Sequence, residues 1–255
     1  MNFYVGTSGY SYKPWKGPFY PPDLPDRQML RYYSERFGAV EINSTFRGMP
    51  KASVLEKWAN TVPAGFQFVI KAPQQITHKR RLGDAGDLVL QLFEVAGVLA
   101  EHRGPLLFQL PLAMQKDVPR LRAFFAQLPP HQRAVVEFRH PSWFDDEVLG
   151  LLRDHRAALC VADAEGKLEV PCVATTDWGY LRLRQPDYSD AELTTWVKRI
   201  QGQSWRDVFV FFKHENEGKG PRFAQRFLEL AASALSHAGL GVSTRCPVQQ
   251  FSRVW

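Results

Sequence analysis

Polar and charged side chains recur at the ends of short apolar segments along this chain. Glu41 and Asn43 close Ala39–Asn43, Lys71 closes Phe66–Lys71, Gln109 sits at the end of Pro105–Leu110, and Glu137 and Arg139 close Ala134–Arg139. Asp163 ends Ala157–Asp163, Arg182 lies near the end of Gly179–Arg184, and Lys213, His214 and Glu215 follow one another after Asp207. Two carboxylates among cations suit acid–base work, because unlike surroundings push their pKa values apart. Glu41 and Glu137 are therefore candidate catalytic residues. Lys71 is a third: desolvated among cations such as Arg139 it would be a Schiff-base amine, and paired to Glu41 or Glu137 it would be a structural ion. As an acid–base group Glu137 could be replaced by Gln with more damage to function than to stability. Metal chemistry is an alternative, since His78, His140 and His214 all follow apolar segments near Glu41, Glu137, Asp163 and Glu215. The interleaved Lys71, Arg139, Arg182 and Lys213 weigh against it, and no metal ligands are assigned.

The elements that would position these residues are β-strands. The segments above, with Phe3–Thr7, make eight, and helix-period stretches separate most of them. Leu30, Tyr33 and Phe37 form one apolar stripe, Leu88, Leu92, Val95 and Leu99 another; Asp117 with Pro119 opens a helix, Ser142 with Asp145 reads as a cap, and Ser189 with Glu192 reads as a capping box. Strand–helix alternation implies a parallel sheet with right-handed crossovers. Residues 1–255 read as one α/β domain, a (β/α)8 TIM-like barrel, whose sixth helix is replaced by an irregular connection over Ala164–Asp177. An open doubly wound sheet is the alternative, although the glycine-rich dinucleotide turn is missing after the first segment.

In such a barrel, catalytic groups gather at the C-terminal mouth. Side-chain alternation places Glu41 with Asn43, Val69 with Lys71, Leu107 with Gln109, Glu137 with Arg139, Val161 with Asp163, and Tyr180 with Arg182 and Arg184 on common faces. Asn43, Gln109, Arg139, Asp163, Arg182, Lys213 and His214 are candidate substrate-binding residues on this ground. His78 joins them from the basic run Thr77–Arg81, which suits a phosphate-bearing ligand. Tyr10 and Trp15 join them from a long aromatic and proline-rich loop over Ser8–Pro25, whose rings would either stack on a ligand or form a small core of their own.

Lys and Arg exceed Asp and Glu by 32 to 26, a formal charge of +6 that favours anionic ligands. A hydrophobic content of 45% excludes a disordered chain. The longest apolar runs, Ala157–Ala162 and Val208–Phe212, fall far below the roughly 20 residues of a spanning helix. Cys160, Cys172 and Cys246 are odd in number and lack CxxC spacing, which argues against a disulfide framework, and a cytoplasmic location is expected.

Five ordered motifs then carry a resemblance. Gly6-Thr-Ser-Gly-Tyr-Ser-Tyr12 with Trp15, Val40-Glu-Ile-Asn-Ser-Thr-Phe46, Lys71-Ala-Pro-Gln-Gln-Ile-Thr-His78 with Arg81 and Leu82, Gln109-Leu-Pro111, and Glu137-Phe-Arg-His-Pro-Ser-Trp143 resemble the family catalogued as domain of unknown function 72, the YecE-like proteins. The resemblance runs from Tyr4 to about Leu230. It implies a single TIM-like barrel and lends no activity. Many relatives carry histidine where this chain has Arg184, so no histidine role carries over to that position.

The reading at this level is an enzyme acting on a small anionic or sugar-like ligand by carboxylate acid–base chemistry, of hydrolase, isomerase or lyase class. A metal-dependent phosphodiesterase or nuclease-like hydrolase, and a non-enzymatic nucleic-acid or protein binding module, are the alternatives. Cofactor and oligomeric state stay unassigned, and no membrane partner is expected.

Overall fold

The computed structural model describes residues 1–163 and 168–237. Eight strands alternate with helices: β1 (Asn2–Thr7), β2 (Ala39–Ile42), β3 (Gln67–Lys71), β4 (Arg103–Gln109), β5 (Ala134–Glu137), β6 (Ala158–Asp163), β7 (Trp178–Leu183) and β8 (Asp207–Phe212). Every pairing is parallel, in the order β1-β8-β7-β6-β5-β4-β3-β2. The helices are α1 (Met29–Ser34), α2 (Ala52–Ala59), α3 (Gly86–Gly97), α4 (Val118–Phe125), α5 (Asp146–Asp154), α6 (Asp190–Gln201) and α7 (Lys219–His237). This is a nearly closed (β/α)8 TIM-like barrel. No helix joins β6 to β7 among the described residues, where Pro171 interrupts an already aperiodic stretch. Residues 164–167 and Cys246 lie outside the described residues; Cys160 and Cys172 are free thiols.

The seam between β1 and β2 closes at its upper end, where Ser8 bridges Glu41 and the Gly9 amide donates to the Glu41 carbonyl at 2.8 Å. Lower down, the Tyr33 hydroxyl from α1 fills the gap. It accepts from the Thr7 amide at 2.7 Å and donates to the Ala39 carbonyl at 3.1 Å, so two buried backbone groups are satisfied through one side chain. Gly6 permits the approach, since a Cβ there would lie 1.9 Å from the Ala39 carbonyl oxygen.

Local signals set the helices. Asp117 accepts from the Arg120 amide ahead of α4, and Ser189 with Glu192 makes a full capping box on α6. The cap of α5 is Asp145, which accepts from the Val148 amide; the expectation of Ser142 as cap is corrected, because Ser142 lies in a separate turn and accepts from the Lys116 amide. On α3 the buried face is Val89, Leu92, Phe93 and Ala96, with Leu88 and Val95 at its margin.

Two cores result. Strand residues facing the helices join the helix stripes in the outer core, and Tyr4, Val69, Leu107, Val135, Cys160, Tyr180, Phe209 and Phe211 fill the barrel. Tyr4 stacks on Phe209 at 4.7 Å, and Tyr180 lies 5.4 Å from Phe211, so the lumen is packed rather than open.

Candidate active site

Directly above this packed layer lies a charged one. Glu41 and Glu137 are fully buried, and Arg182, 2% exposed, stands between them. Its guanidinium donates to Glu137 Oε2 at 2.6 Å and to Glu41 Oε1 at 2.8 Å. Glu41 is further held by the Ser8 hydroxyl at 2.7 Å and the Tyr180 hydroxyl at 2.5 Å. Glu137 accepts in addition from Arg184 at 3.0 Å and from Gln109 Nε2 at 2.8 Å. Alternation explains the convergence: Glu41, Lys71, Gln109, Glu137 and Arg182 are the last inward positions of β2, β3, β4, β5 and β7.

Burial alone would raise the Glu137 pKa, but the charges of Arg182 and Arg184 and the bonds from Arg182 and Gln109 outweigh it and hold the carboxyl at about 2. Glu137 is thus a fixed anion. Lys71 moves the other way. Its Nζ donates to Gln109 Oε1 at 2.8 Å and sits 4.2 Å from the centre of the Phe46 ring, and it forms no salt bridge with either carboxylate. Burial, then the charge of Arg182, lowers its pKa to about 8, against the partial opposition of Glu41 and Glu137. Gln109 is the spacer that prevents the expected ion pair.

After Lys71 the chain makes a π-type turn, Gln75–Lys79, followed by left-handed residues at Arg81, Leu82 and Asp84. A buried leucine at a φ of 66° is a strained choice that only surrounding structure maintains, and such strain and π turns gather at functional loops. This loop brings His78 edge-on to Phe46, with ring centres 4.9 Å apart, and Nδ1 hydrogen-bonded to Thr77. Burial and the charges of Lys71 and Arg139 lower the His78 pKa, which keeps the ring neutral at neutral pH. Arg139 is half-buried and Lys213 exposed; neither side chain has a hydrogen bond or ion pair among the described residues. Both act on this layer electrostatically, Arg139 with Glu137 and Lys213 with Lys71. Five basic side chains (Lys71, Arg139, Arg182, Arg184, Lys213) therefore face two carboxylates. The Asn43 side-chain oxygen and the Nε atoms of Arg182 and Arg184 are buried without partners among the described residues.

The family described as Protein of unknown function DUF72 matches residues 4–247, nearly the whole chain. The chain belongs to the DUF72 family. It is 26% identical to the UPF0759 protein YunF of Bacillus subtilis over 89% of this chain and 94% of that protein. It is 33% identical to the UPF0759 protein YecE of Escherichia coli K12 over 45% of this chain and 43% of that protein. Among solved structures, a DUF72 family protein from Thermotoga maritima superposes with a TM-score of 0.82 at 26% identity, covering 91% of this chain and all of that one. A second DUF72 family protein, from Enterococcus faecalis, superposes with a TM-score of 0.71 at 17% identity over 80% of this chain and 94% of that one.

The DUF72 motifs quoted above map onto this mouth and its supports. In the first, Thr7 and Gly9 shape the turn that presents Ser8 to Glu41, with Gly9 at a φ of 92°. In the last, Trp143 stacks on Phe138 at 4.6 Å and donates to the Met114 carbonyl at 2.7 Å, tying the loop after β5 to the loop after β4. Some expected contacts go elsewhere. Asp163 faces the helix layer, where it accepts from the Tyr188 hydroxyl at 2.7 Å and the Arg184 amide at 3.2 Å. The inward residues of β6 are Ala158, Cys160 and Ala162, so the expected parity of that strand is corrected. Both faces of β6 are apolar up to its last residue, which leaves alternation no contrast to read. His214 also points outward, donating to the Gln185 carbonyl at 2.5 Å and packing against Phe223 at 5.0 Å. Trp15 is fully buried and donates to the Glu215 carbonyl at 3.0 Å, while Tyr10 packs near Tyr33. Of the alternatives for the aromatic loop, these two residues take that of a loop core. His140 bonds Ser142, and among the described residues no three His, Cys, Asp or Glu side chains converge as metal ligands would. No described helix is long and apolar enough to cross a membrane.

Three members of the layer were absent from the residues expected there: Ser8, Tyr180 and Arg184. Arg184 shares the inward face with Arg182 two residues earlier, a signal present in the sequence. Tyr180 shares that face two residues before Arg182, whereas Ser8, a serine in a turn, carries no such signal.

Proposed function

We propose that this protein is an enzyme acting on a small ligand that carries a phosphate or carboxylate group, sugar-like in size, at the C-terminal mouth. The observation that carries the reading is the excess of cations, two of which, Arg139 and Lys213, form no salt bridge among the described residues. Guanidinium and ammonium groups held around a buried frame are directed donors for an oxyanion. The proton-transfer groups in this reading are Lys71 and His78, since burial and then the neighbouring cations lower the pKa of both. Glu41 and Glu137 hold Arg182 and Gln109 in place. The overall charge of +6 is the support for the nucleic-acid alternative, and it does not by itself select one face.

The test is thermal stability against inorganic phosphate and sulfate, with chloride at matched ionic strength as control. A rise in melting temperature is expected for the oxyanions and is lost when Arg139→Ala and Lys213→Ala are combined. Equal responses to phosphate and chloride would refute the reading. Salt-sensitive binding of a DNA duplex unaffected by those substitutions would favour a nucleic-acid surface elsewhere.

A further inference from the structure

We propose that Lys71 is a covalent catalyst that forms an imine with an aldehyde or ketone bearing a phosphate or carboxylate group. The proposal rests on the anion-binding reading above and adds the reacting group of the substrate. Its ground is the way Lys71 is held. A lysine retained as a structural ion is met by a carboxylate, whereas here two buried carboxylates lie in the same layer and neither bonds it. Its acceptor is the neutral oxygen of Gln109, at 2.8 Å. That oxygen faces the amine because the other end of the amide donates to Glu137 Oε2 at 2.8 Å. Glu137 therefore orients Lys71 through an amide while its charge is spent on Arg182 and Arg184, at 2.6 and 3.0 Å. A neutral acceptor positions an amine without fixing its proton as a carboxylate would, and the Arg182 charge beneath opposes that proton.

The Phe46 ring, 4.2 Å from Nζ, walls one side, and Lys71 as a whole residue is 9% exposed, at the last inward position of its strand. Arg139 and Lys213 supply cations for the anionic group of the same ligand. In the reaction, the Nζ lone pair bonds to the carbonyl carbon and the carbonyl π pair moves to oxygen. A proton passes from nitrogen to that oxygen to give the carbinolamine, and the remaining nitrogen proton then passes to the hydroxyl, which leaves as water while the C=N bond forms. Amine plus carbonyl gives imine plus water, without oxidant or reductant. His78, neutral and set against the same Phe46 ring, is the positioned proton carrier for water loss.

The experiment exposes the full chain to glyceraldehyde 3-phosphate or to uncharged glyceraldehyde with sodium borohydride, which reduces an imine to a stable secondary amine. Peptide mapping by mass spectrometry locates the adduct. The expected result is labelling concentrated at Lys71 over surface lysines. The phosphorylated aldehyde should react faster by about tenfold or more, the worth of one charge-assisted hydrogen bond. Inorganic phosphate should suppress that advantage. Lys71→Arg and Lys71→Met, each checked for a parental circular dichroism spectrum, should lose the adduct. Labelling spread evenly over lysines would overturn the imine, and if phosphate still raises the melting temperature the anion reading survives without it. Preferential labelling of Lys71 by both aldehydes at equal rates would overturn the anionic substrate class and the anion reading together, leaving the nucleophile. Absence of both labelling and phosphate response would overturn both.

Discussion

Replacing Glu137 by glutamine tests whether the mouth is built around a fixed anion. The carboxylate is fully buried and accepts from Arg182, Arg184 and Gln109 at 2.6, 3.0 and 2.8 Å. An amide in its place turns one acceptor oxygen into a donor that faces either Arg184 or the Arg182–Gln109 pair. Arg182 retains Glu41, but Arg184 loses its carboxylate. Two routes give the magnitude. A carboxyl at about 2 in the folded protein against an ordinary 4.5 corresponds to about 3 kcal/mol of stability at neutral pH. Breaking a buried ion pair from one side costs about 3–5 kcal/mol. At about 2–4 °C per kcal/mol for a chain of this size, Glu137→Gln should melt at least about 6–12 °C lower. The folded pKa lies below the unfolded one, so this contribution is complete above about pH 4.5 and is lost as pH falls toward 2. The gap between parent and variant should close over that window, whatever other carboxylates do to both. The assay is paired urea and thermal denaturation at pH 7 and at successively lower pH. A gap under about 1 kcal/mol at pH 7, or one that persists unchanged in acid, would refute the geometry. Residue order favours damage to function over stability at this position; the packing adds a large stability cost to it.

Lys71 has the opposite sign. Its pKa falls from 10.5 to about 8 on folding, so the unfolded chain binds more protons between those values and stability rises with pH across them. Lys71→Met should therefore be more stable than the parent at pH 7, by on the order of 1–3 kcal/mol, with the advantage shrinking above pH 8; a destabilised variant would show that the ammonium is paired. Tyr33→Phe removes the hydroxyl that serves the Thr7 amide and the Ala39 carbonyl, and should cost about 1–3 kcal/mol by urea denaturation. Unchanged stability there would mean that those backbone groups find each other or water. Gly6→Ala forces a methyl group to within 1.9 Å of the Ala39 carbonyl oxygen, so the seam must open at a cost of about 3 kcal/mol or more. A soluble variant with the parental melting temperature would disprove that close approach.

The barrel was legible in the sequence because its signals are local. Each strand is a short apolar run, most of them ending in a polar residue, α4, α5 and α6 carry side-chain caps, and the irregular stretch before Asp177 announces itself by proline and lost periodicity. The strand period of two placed Glu41, Lys71, Gln109, Glu137 and Arg182 at one mouth, since inward positions at the ends of neighbouring parallel strands must converge. It failed for Asp163, where neither face of β6 carries a polar residue earlier to set the parity. It also gave no view of pairing. Arg182 is 45 residues from Glu137 and 141 from Glu41, and Gln109 is 38 from Lys71. A list of charges permits Lys71 to bond either carboxylate. Only the closed barrel, which sets Gln109 between Lys71 and Glu137 and Arg182 between the two glutamates, decides that the carboxylates belong to the arginines and that the lysine is held by an amide. Residue type and period bring most of these side chains to the mouth, and the three-dimensional distances among them decide which partner each charge meets.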